Sequence, residues 1–176
     1  HKQLVDQLQG IDSAYYEKNK IFILSQLTKL RQICCHPALC YDDYQGSSAK
    51  LEACMELVQR AVKGKHKVLL FSQFTSMLDL IRERLAEQNT KYYCLTGNTD
   101  KQERQRLVDA FQNDDTPVFL ISLKAGGTGL NLTAADIVIH YDPWSNVAAQ
   151  NQATDRAHRI GQKNTVTVYR LICLLY

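Results

Sequence analysis

Short runs of consecutive apolar residues alternate with segments of helical periodicity, and this alternation constrains the fold more than any other feature of the sequence. The apolar runs occupy residues 68–71, 118–121 and 137–140, and we predict further strands at 92–95 and 165–172. A strand that is apolar along its whole length is typical of a parallel sheet covered on both faces. The sequence therefore predicts an α/β fold, in which a parallel sheet carries helices on both faces.

Local signals bound the intervening helices. One helix has an apolar stripe over residues 51–61 and closes at Gly64, and the next begins near Thr75. Gly97 is expected to form the turn after the strand at 92–95. Thr99 and Gln102 have the spacing of a capping box, which predicts that a third helix starts there.

The first 48 residues differ from the rest of the chain. Leu24, Leu27 and Leu30 recur at helical spacing, Pro37 ends the helix, and residues 41–48 form a polar linker. We therefore divide the chain into a helical lead-in with its linker, residues 1–48, and a main domain, residues 49–176. Because the chain starts with a histidine, we expect it to be a piece of a longer protein.

Composition sets broad limits on function. Apolar residues make up 45% of the chain and charged residues 22%, as in an ordinary globular domain, and the net charge of +3 permits a nucleic-acid partner without requiring one. No apolar run approaches the length of a membrane span and there is no signal-peptide pattern. We expect an intracellular protein, cytoplasmic in a prokaryote or nuclear in a eukaryote, with no membrane partner.

The six cysteines lie mostly in apolar stretches, which indicates reduced thiols that pack in a core. The densest group is CCHPALC at residues 34–40, with His36 inside it. A structural zinc site needs a second pair of ligands, and no such pair follows in the sequence. We predict no metal site here and expect buried or capping roles instead.

Three polar segments follow strands and should meet at one edge of the sheet, since ligands of open parallel sheets bind beyond the carboxyl ends of the strands. They are residues 72–74, residues 122–133 and residues 142–146. The second is rich in glycine, including Gly127 and Gly129, and could either bring backbone N–H groups close to an anion or form a tight turn. It is neither a Walker A loop nor a dinucleotide fingerprint. Trp144, in the third segment, could close the sheet edge by packing or touch a nucleic acid.

Residues 152–162 read QATDRAHRIGQ and follow the third polar segment. A helix from about residue 145 to 158 would place Gln152, Arg156 and Arg159 on one face, with Gly161 as a left-handed residue after its end. Guanidinium groups suit phosphate oxygens because they present planar, permanently charged donors. The alternative is a solvated helix end whose arginines lie near the negative pole of the helix dipole.

Together these segments resemble the second RecA-like lobe, the helicase C-terminal lobe, of the Swi/Snf family of DNA-dependent ATPases. The resemblance runs from about Leu30 to Ile172. Its segments are VLLFSQFTSMLDLI, YYCLTGNTDKQERQRLVDAFQ, FLISLKAGGTGLNLTAADIVIHYDPWSN and QATDRAHRIGQ, preceded by LRQICCHP. The ending HRIGQ points to this family and not to RNA helicases.

The resemblance implies a role for individual residues. Arg156 and Arg159 would be arginine fingers that stabilise charge on the phosphoryl group transferred from ATP. Gln152 would help to position the two arginines, and Gly127 and Gly129 would lie near the nucleotide or at the interface between the lobes, so that all three are expected to take part in ATP binding. The positions that would face the DNA backbone are Gln73, Thr96, Gly97, Lys124, Thr128 and Trp144.

The resemblance also implies partners. The expected partners are double-stranded DNA and the first RecA-like lobe of the same protein. ATP with Mg²⁺ would be bound mainly by that first lobe. We therefore expect this chain alone to hold no cofactor tightly and to be inactive. The expected function is half of an ATP-dependent DNA translocase or remodelling motor. There are two alternatives. One is the lobe of a strand-separating or RNA helicase, and the other is a catalytically idle module that binds DNA or protein.

Overall fold

The computed structural model describes residues 13–125, 130–142, 151, 153–157, 161–162 and 164–173, with side chains from residue 19 onward. Five strands form one parallel sheet: β1 (Val68–Ser72), β2 (Tyr92–Leu95), β3 (Val118–Ser122), β4 (Ile137–His140) and β5 (Thr167–Arg170). Their order across the sheet is β2-β3-β1-β4-β5, so the most apolar strands occupy the centre. The α/β prediction is confirmed.

The helices whose bounds lie wholly within the described residues are α1 (Ser13–Cys35), α2 (Ala49–Lys63), α3 (Thr75–Glu87) and α4 (Lys101–Asn113), and Pro37–Leu39 form a 3-10 turn. Within the ranges that the structure describes, none of the helices combines the length and apolar character needed to cross a bilayer.

Side chains of the central strands alternate between two hydrophobic clusters, as the two-residue period of a strand requires. In β1, Val68 and Leu70 pack with α2 and α3, whereas Leu69 and Phe71 pack on the other face with α4. All residues of β1 and β3 are buried, so helices cover both faces of the sheet.

The end of α1 is attached to the sheet, and its apolar stripe is not covered. Cys35 belongs to the cluster around α2 and α3, and its carbonyl oxygen accepts a hydrogen bond of 2.9 Å from the buried Tyr141 hydroxyl. Leu24, Leu27 and Leu30 are at least half exposed.

The structure also tests the predicted roles of the cysteines and of His36. Cys35 and Cys54 are buried, and burial raises the pKa of each thiol to about 12, which confirms the core-packing role for these two. Cys34 and Cys173 are exposed. His36 caps the 3-10 turn, where its Nδ1 accepts a hydrogen bond of 3.1 Å from the Ala38 N–H, which confirms the capping role.

Two local predictions are corrected, and one is confirmed. Asp100 caps α4 by accepting from the Glu103 N–H, so the predicted pair of Thr99 and Gln102 is wrong by one residue. Gly64 is the C-cap of α2, as predicted, with a φ of −76°, and Lys65 after it is left-handed with a φ of 60°. The last strand is shorter than 165–172 because only Thr167–Arg170 pair with β4.

Candidate functional site

The carboxyl ends of the parallel strands form one edge of the domain. Taken across the sheet, Thr96 follows the end of β2, Lys124 follows that of β3, Gln73 follows that of β1 and Asp142 follows that of β4. Because neighbouring strands lie about 4.8 Å apart, the row spans roughly 14 Å. The chain thus places residues from four separate loops side by side.

The first and third polar segments are joined directly. The backbone N–H of Gln73 lies 3.2 and 3.0 Å from the two carboxylate oxygens of Asp142, which is only 4% exposed. Burial raises the pKa of Asp142, whereas hydrogen bonds from Gln73 and Ser72 and the Lys50 cation act in the opposite direction. Asp142 therefore holds the backbone of Gln73 in place at the sheet edge, a role that its position in the sequence did not reveal.

Thr96 and Gly97 form the predicted turn after β2. The Thr96 N–H donates to the Thr99 hydroxyl over 3.1 Å, and the Thr99 N–H donates to the Thr96 carbonyl over 3.2 Å. Gly97 is exposed, and a Cβ atom placed on it would meet no heavy atom within 4 Å. An approaching group can therefore reach this backbone.

Lys124 is the exposed residue of this row that follows β3, and its two neighbours in the sequence are buried. Leu123 and Ala125 are buried in the second hydrophobic cluster, and the Leu123 N–H donates to the Ser72 carbonyl over 2.9 Å. The Ala125 carbonyl accepts a hydrogen bond of 2.9 Å from Arg104 in α4. The start of the glycine-rich loop is therefore fixed while the ammonium group of Lys124 faces solvent.

The turn that carries Arg156 lies against the end of the same loop. The Arg156 carbonyl accepts a hydrogen bond of 3.1 Å from the Leu132 N–H, and Ala153 and Ala157 pack in the second hydrophobic cluster. Arg156 itself is 2% exposed. The alternative of a solvated helix end is therefore wrong for Arg156.

The helix before this turn ends earlier than predicted. The Asp155 N–H still bonds four residues back to Asn151, but the N–H groups of Arg156 and Ala157 bond three residues back, over 3.4 and 3.1 Å. Helical residues end at Thr154 and not near residue 158, because the last turn tightens as helix ends commonly do. Gly161 has a φ of 104°, so its predicted left-handed conformation is confirmed, but because the helix ends at Thr154, Gly161 is not its C-cap.

Several predicted site residues lie outside the described residues: Gln152, Arg159, Gly127, Gly129, Thr128 and Trp144. Of the candidates that the structure describes, Gln73, Thr96, Gly97 and Lys124 share one edge, and Arg156 is bonded to the loop that follows Lys124. Among the described side chains, no group of three His, Cys, Asp or Glu residues is placed to hold a metal ion.

Two residues of this region make polar contacts that were not predicted. His140, at the end of β4, lies 3.1 Å through Nε2 from the Thr154 hydroxyl, just before the Arg156 turn. Gln162 reaches back to the carbonyl oxygens of Thr133, Ala135 and Ala157. A single histidine or glutamine carries no sequence signal of such contacts, because its partners are distant along the chain.

Residues 49–161 match the helicase conserved C-terminal domain family. A putative ATP-dependent helicase/translocase of Bacillus subtilis is 44% identical over 180 residues, covering 98% of this chain and 19% of the relative. The chromatin-remodeling ATPase INO80 of Homo sapiens is 49% identical over 127 residues, covering 72% of this chain and 8% of the relative. The chain thus spans less than a fifth of either relative.

A solved structure agrees with these matches. The SWI2/SNF2 ATPase core of Sulfolobus solfataricus in complex with dsDNA superposes with a TM-score of 0.77 at 38% identity, over 97% of this chain and 36% of that one. The parallel sheet, the order of the loops at its edge and the sequence matches lead to one assignment. The chain belongs to the helicase conserved C-terminal domain family and is a RecA-like C-terminal lobe of the Swi/Snf type.

Proposed function

We propose that this chain is the C-terminal half of an ATP-driven motor that moves along double-stranded DNA. The observation that carries the proposal is the hydrogen bond from the Leu132 N–H to the Arg156 carbonyl, which joins the arginine turn to the segment between the glycine-rich loop and β4. Relatives named as an ATP-dependent helicase/translocase and a chromatin-remodeling ATPase, and a neighbour in complex with dsDNA, support it.

The sheet edge would contact the DNA backbone. Lys124 supplies an exposed ammonium group, Gly97 supplies open backbone, and the Asp142 carboxylate fixes the backbone at Gln73. Thr96, Thr128 and Trp144 complete this proposed surface. Contacts to phosphate and sugar carry no base information, so binding would be largely independent of sequence, as a translocating motor requires.

The arginines would act on ATP that is bound, with Mg²⁺, mainly by the first lobe. The triphosphate supplies the phosphoryl group for transfer, and this chain has no Walker A loop to hold it. The burial of Arg156 holds its guanidinium in place, and the proposed role requires the first lobe to bring the phosphates to that group. Arg159, Gln152, Gly127 and Gly129 would complete this side.

The test is ATP hydrolysis by the full-length protein, with and without duplex DNA, in wild type and in the variants Arg156→Ala, Arg159→Ala and Arg60→Ala. Arg60 is the matched control because its side chain is 76% exposed on α2. We expect duplex DNA to stimulate hydrolysis strongly, and each finger variant, but not the control, to lose this stimulated rate.

Other outcomes would replace the proposal with one of its alternatives. Equal stimulation by single strands or RNA would indicate a strand-separating or RNA helicase. Hydrolysis that is indifferent to DNA and to both finger variants, with DNA binding retained, would indicate an idle binding module.

A further inference from the structure

We infer that Gln162 is a positioning residue that holds the Arg156 turn, residues 155–157, against the exit of the glycine-rich loop, residues 132–135. The inference rests on the proposed function, since it assigns a task to Arg156 in ATP hydrolysis. Gln162 would act through the turn without touching the nucleotide.

The side-chain amide of Gln162 faces three backbone carbonyls. Its Nε2 lies 3.0 Å from the Thr133 oxygen, 2.7 Å from the Ala135 oxygen and 3.0 Å from the Ala157 oxygen. A primary amide has two N–H donors, so the three acceptors share them. The Gln162 Oε1 accepts from the Asn164 N–H over 2.8 Å, which orients the amide with its nitrogen toward the carbonyls.

The backbone delivers Gln162 to this place through Gly161. The φ of 104° at Gly161 belongs to the left-handed region, which residues with a Cβ atom adopt at a cost. A Cβ on Gly161 would meet no heavy atom within 4 Å, so backbone conformation and not space favours glycine. The reversal brings the Gln162 amide back over the residues that precede it and against the loop exit.

Gln162 adds a hydrogen bond between the turn and the loop exit. The internal bond of the turn, from the Arg156 N–H to the Ala153 carbonyl, is long, at 3.4 Å. Two adjacent peptide units tie the turn to the loop exit, since the Arg156 carbonyl accepts from Leu132 and the Ala157 carbonyl accepts from Gln162. Because the two bonds are made by neighbouring peptide units, the Gln162 bond restrains the orientation of the turn relative to the loop exit. A displacement of about 1 Å in a charge-stabilising group can reduce a rate by up to about a hundredfold.

Gln112 provides a matched control. Its amide bonds to the same loop exit from α4, donating to the Thr133 hydroxyl over 3.1 Å and accepting from the Ala134 N–H over 2.8 Å. Among the contacts found for the described residues, Gln112 makes none with the Arg156 turn. Its loss removes support from the loop exit and leaves the tie to the turn intact.

The experiment uses the full-length protein with saturating duplex DNA and measures kcat and the KM for ATP. Gln162→Leu and Gln112→Leu are each made in wild type and in an Arg156→Ala background. We expect Gln162→Leu to lower kcat roughly tenfold to hundredfold, with the KM for ATP within about twofold, because the first lobe binds ATP. Gln112→Leu should change kcat less than about twofold. In the Arg156→Ala background Gln162→Leu should cause no further loss, because it acts through that arginine.

The same variants are compared by hydrogen exchange of the peptide that spans the turn. We expect faster exchange there in Gln162→Leu and wild-type exchange in Gln112→Leu. Losses of kcat that multiply in the double variant, or a similar loss in Gln112→Leu, would overturn the inference by showing a merely structural role. An unchanged rate of exchange at the turn in Gln162→Leu would also overturn it.

The proposed function can fail separately. If Arg156→Ala leaves the DNA-stimulated kcat unchanged, the assignment of Arg156 as a finger is wrong. Hydrogen exchange then decides alone whether Gln162 positions the turn.

Discussion

At the scale of one residue, burial determines the charge of the His140 side chain. Its ring stacks on Phe71, with centroids 5.5 Å apart, and only 1% of the residue is exposed. Burial, with a smaller effect of the Arg170 cation, lowers the pKa of His140 from 6.5 to about 4. The imidazole is therefore neutral at neutral pH, and Nε2 meets the Thr154 hydroxyl without a charge.

This lowered pKa predicts a loss of stability in acid. Between pH 6.5 and about 4 the unfolded chain binds a proton at His140 that the folded chain does not, so stability falls as pH falls through this window. The full difference corresponds to about 3 kcal/mol. We expect His140→Gln to lack this part of the pH dependence in urea unfolding at pH 7, 5.5 and 4. Parallel pH profiles for the two proteins would contradict the prediction.

Lys124 carries a second prediction at the residue scale. If its ammonium group contacts a phosphate, Lys124→Ala should weaken duplex binding regardless of base sequence and reduce the slope of log K against log salt by about one. The measurement is a salt titration of DNA binding by the full-length protein. Lys91→Ala is the control, since Lys91 is also exposed but precedes β2 at the opposite edge of the sheet. Equal slopes in wild type and Lys124→Ala would remove Lys124 from the proposed surface.

At the scale of elements, the contact between α1 and the sheet edge sets the position of the lead-in helix. Tyr141 is fully buried, and its hydroxyl donates to the Cys35 carbonyl across 106 residues of sequence. Asp142, the next residue, holds the backbone of Gln73. The end of α1 is therefore connected to the proposed DNA surface through two consecutive residues.

Removing this hydroxyl should destabilise the chain. Tyr141→Phe keeps the buried ring but deletes the bond to Cys35, at a cost of about 1 kcal/mol, because Ser48 still reaches the same carbonyl at 3.4 Å. The measurement is the free energy of unfolding in urea. Tyr169→Phe, at a residue that is 37% exposed in β5, should change it by less than about 0.5 kcal/mol. Equal effects of the two substitutions would argue against the anchoring role.

At the scale of the whole molecule, the lobe carries the proposed arginine fingers and the proposed DNA surface but no Walker A loop. We therefore predict that this chain alone does not hydrolyse ATP above background, with or without duplex DNA. The measurement is steady-state release of phosphate by the purified chain. Turnover that disappears in Arg159→Ala would contradict the prediction, since it would show that the lobe binds and cleaves ATP by itself.

Sequence patterns were sufficient for the strands, apart from the ends of β5, and for most helix boundaries. An apolar run as short as that in β1, between helical segments, is typical of a strand in a covered parallel sheet, where its alternate side chains enter two separate cores. The cap of α4 was misplaced by one residue, because Thr99 and Asp100 are both good caps and the choice between them depends on where the turn after β2 ends.

The amino-acid sequence by itself determined the parallel sheet, the family and the set of loops that reach one edge, because hydrophobic periodicity and motif order are properties of the chain. Only the tertiary structure decided that Arg156 is buried, that Asp142 holds Gln73 and that Gln162 joins the arginine turn to the loop exit. Each of these depends on contacts between residues that the packing of separate elements brings together. Such residues are close in space but distant in the sequence, so their contacts leave no local pattern.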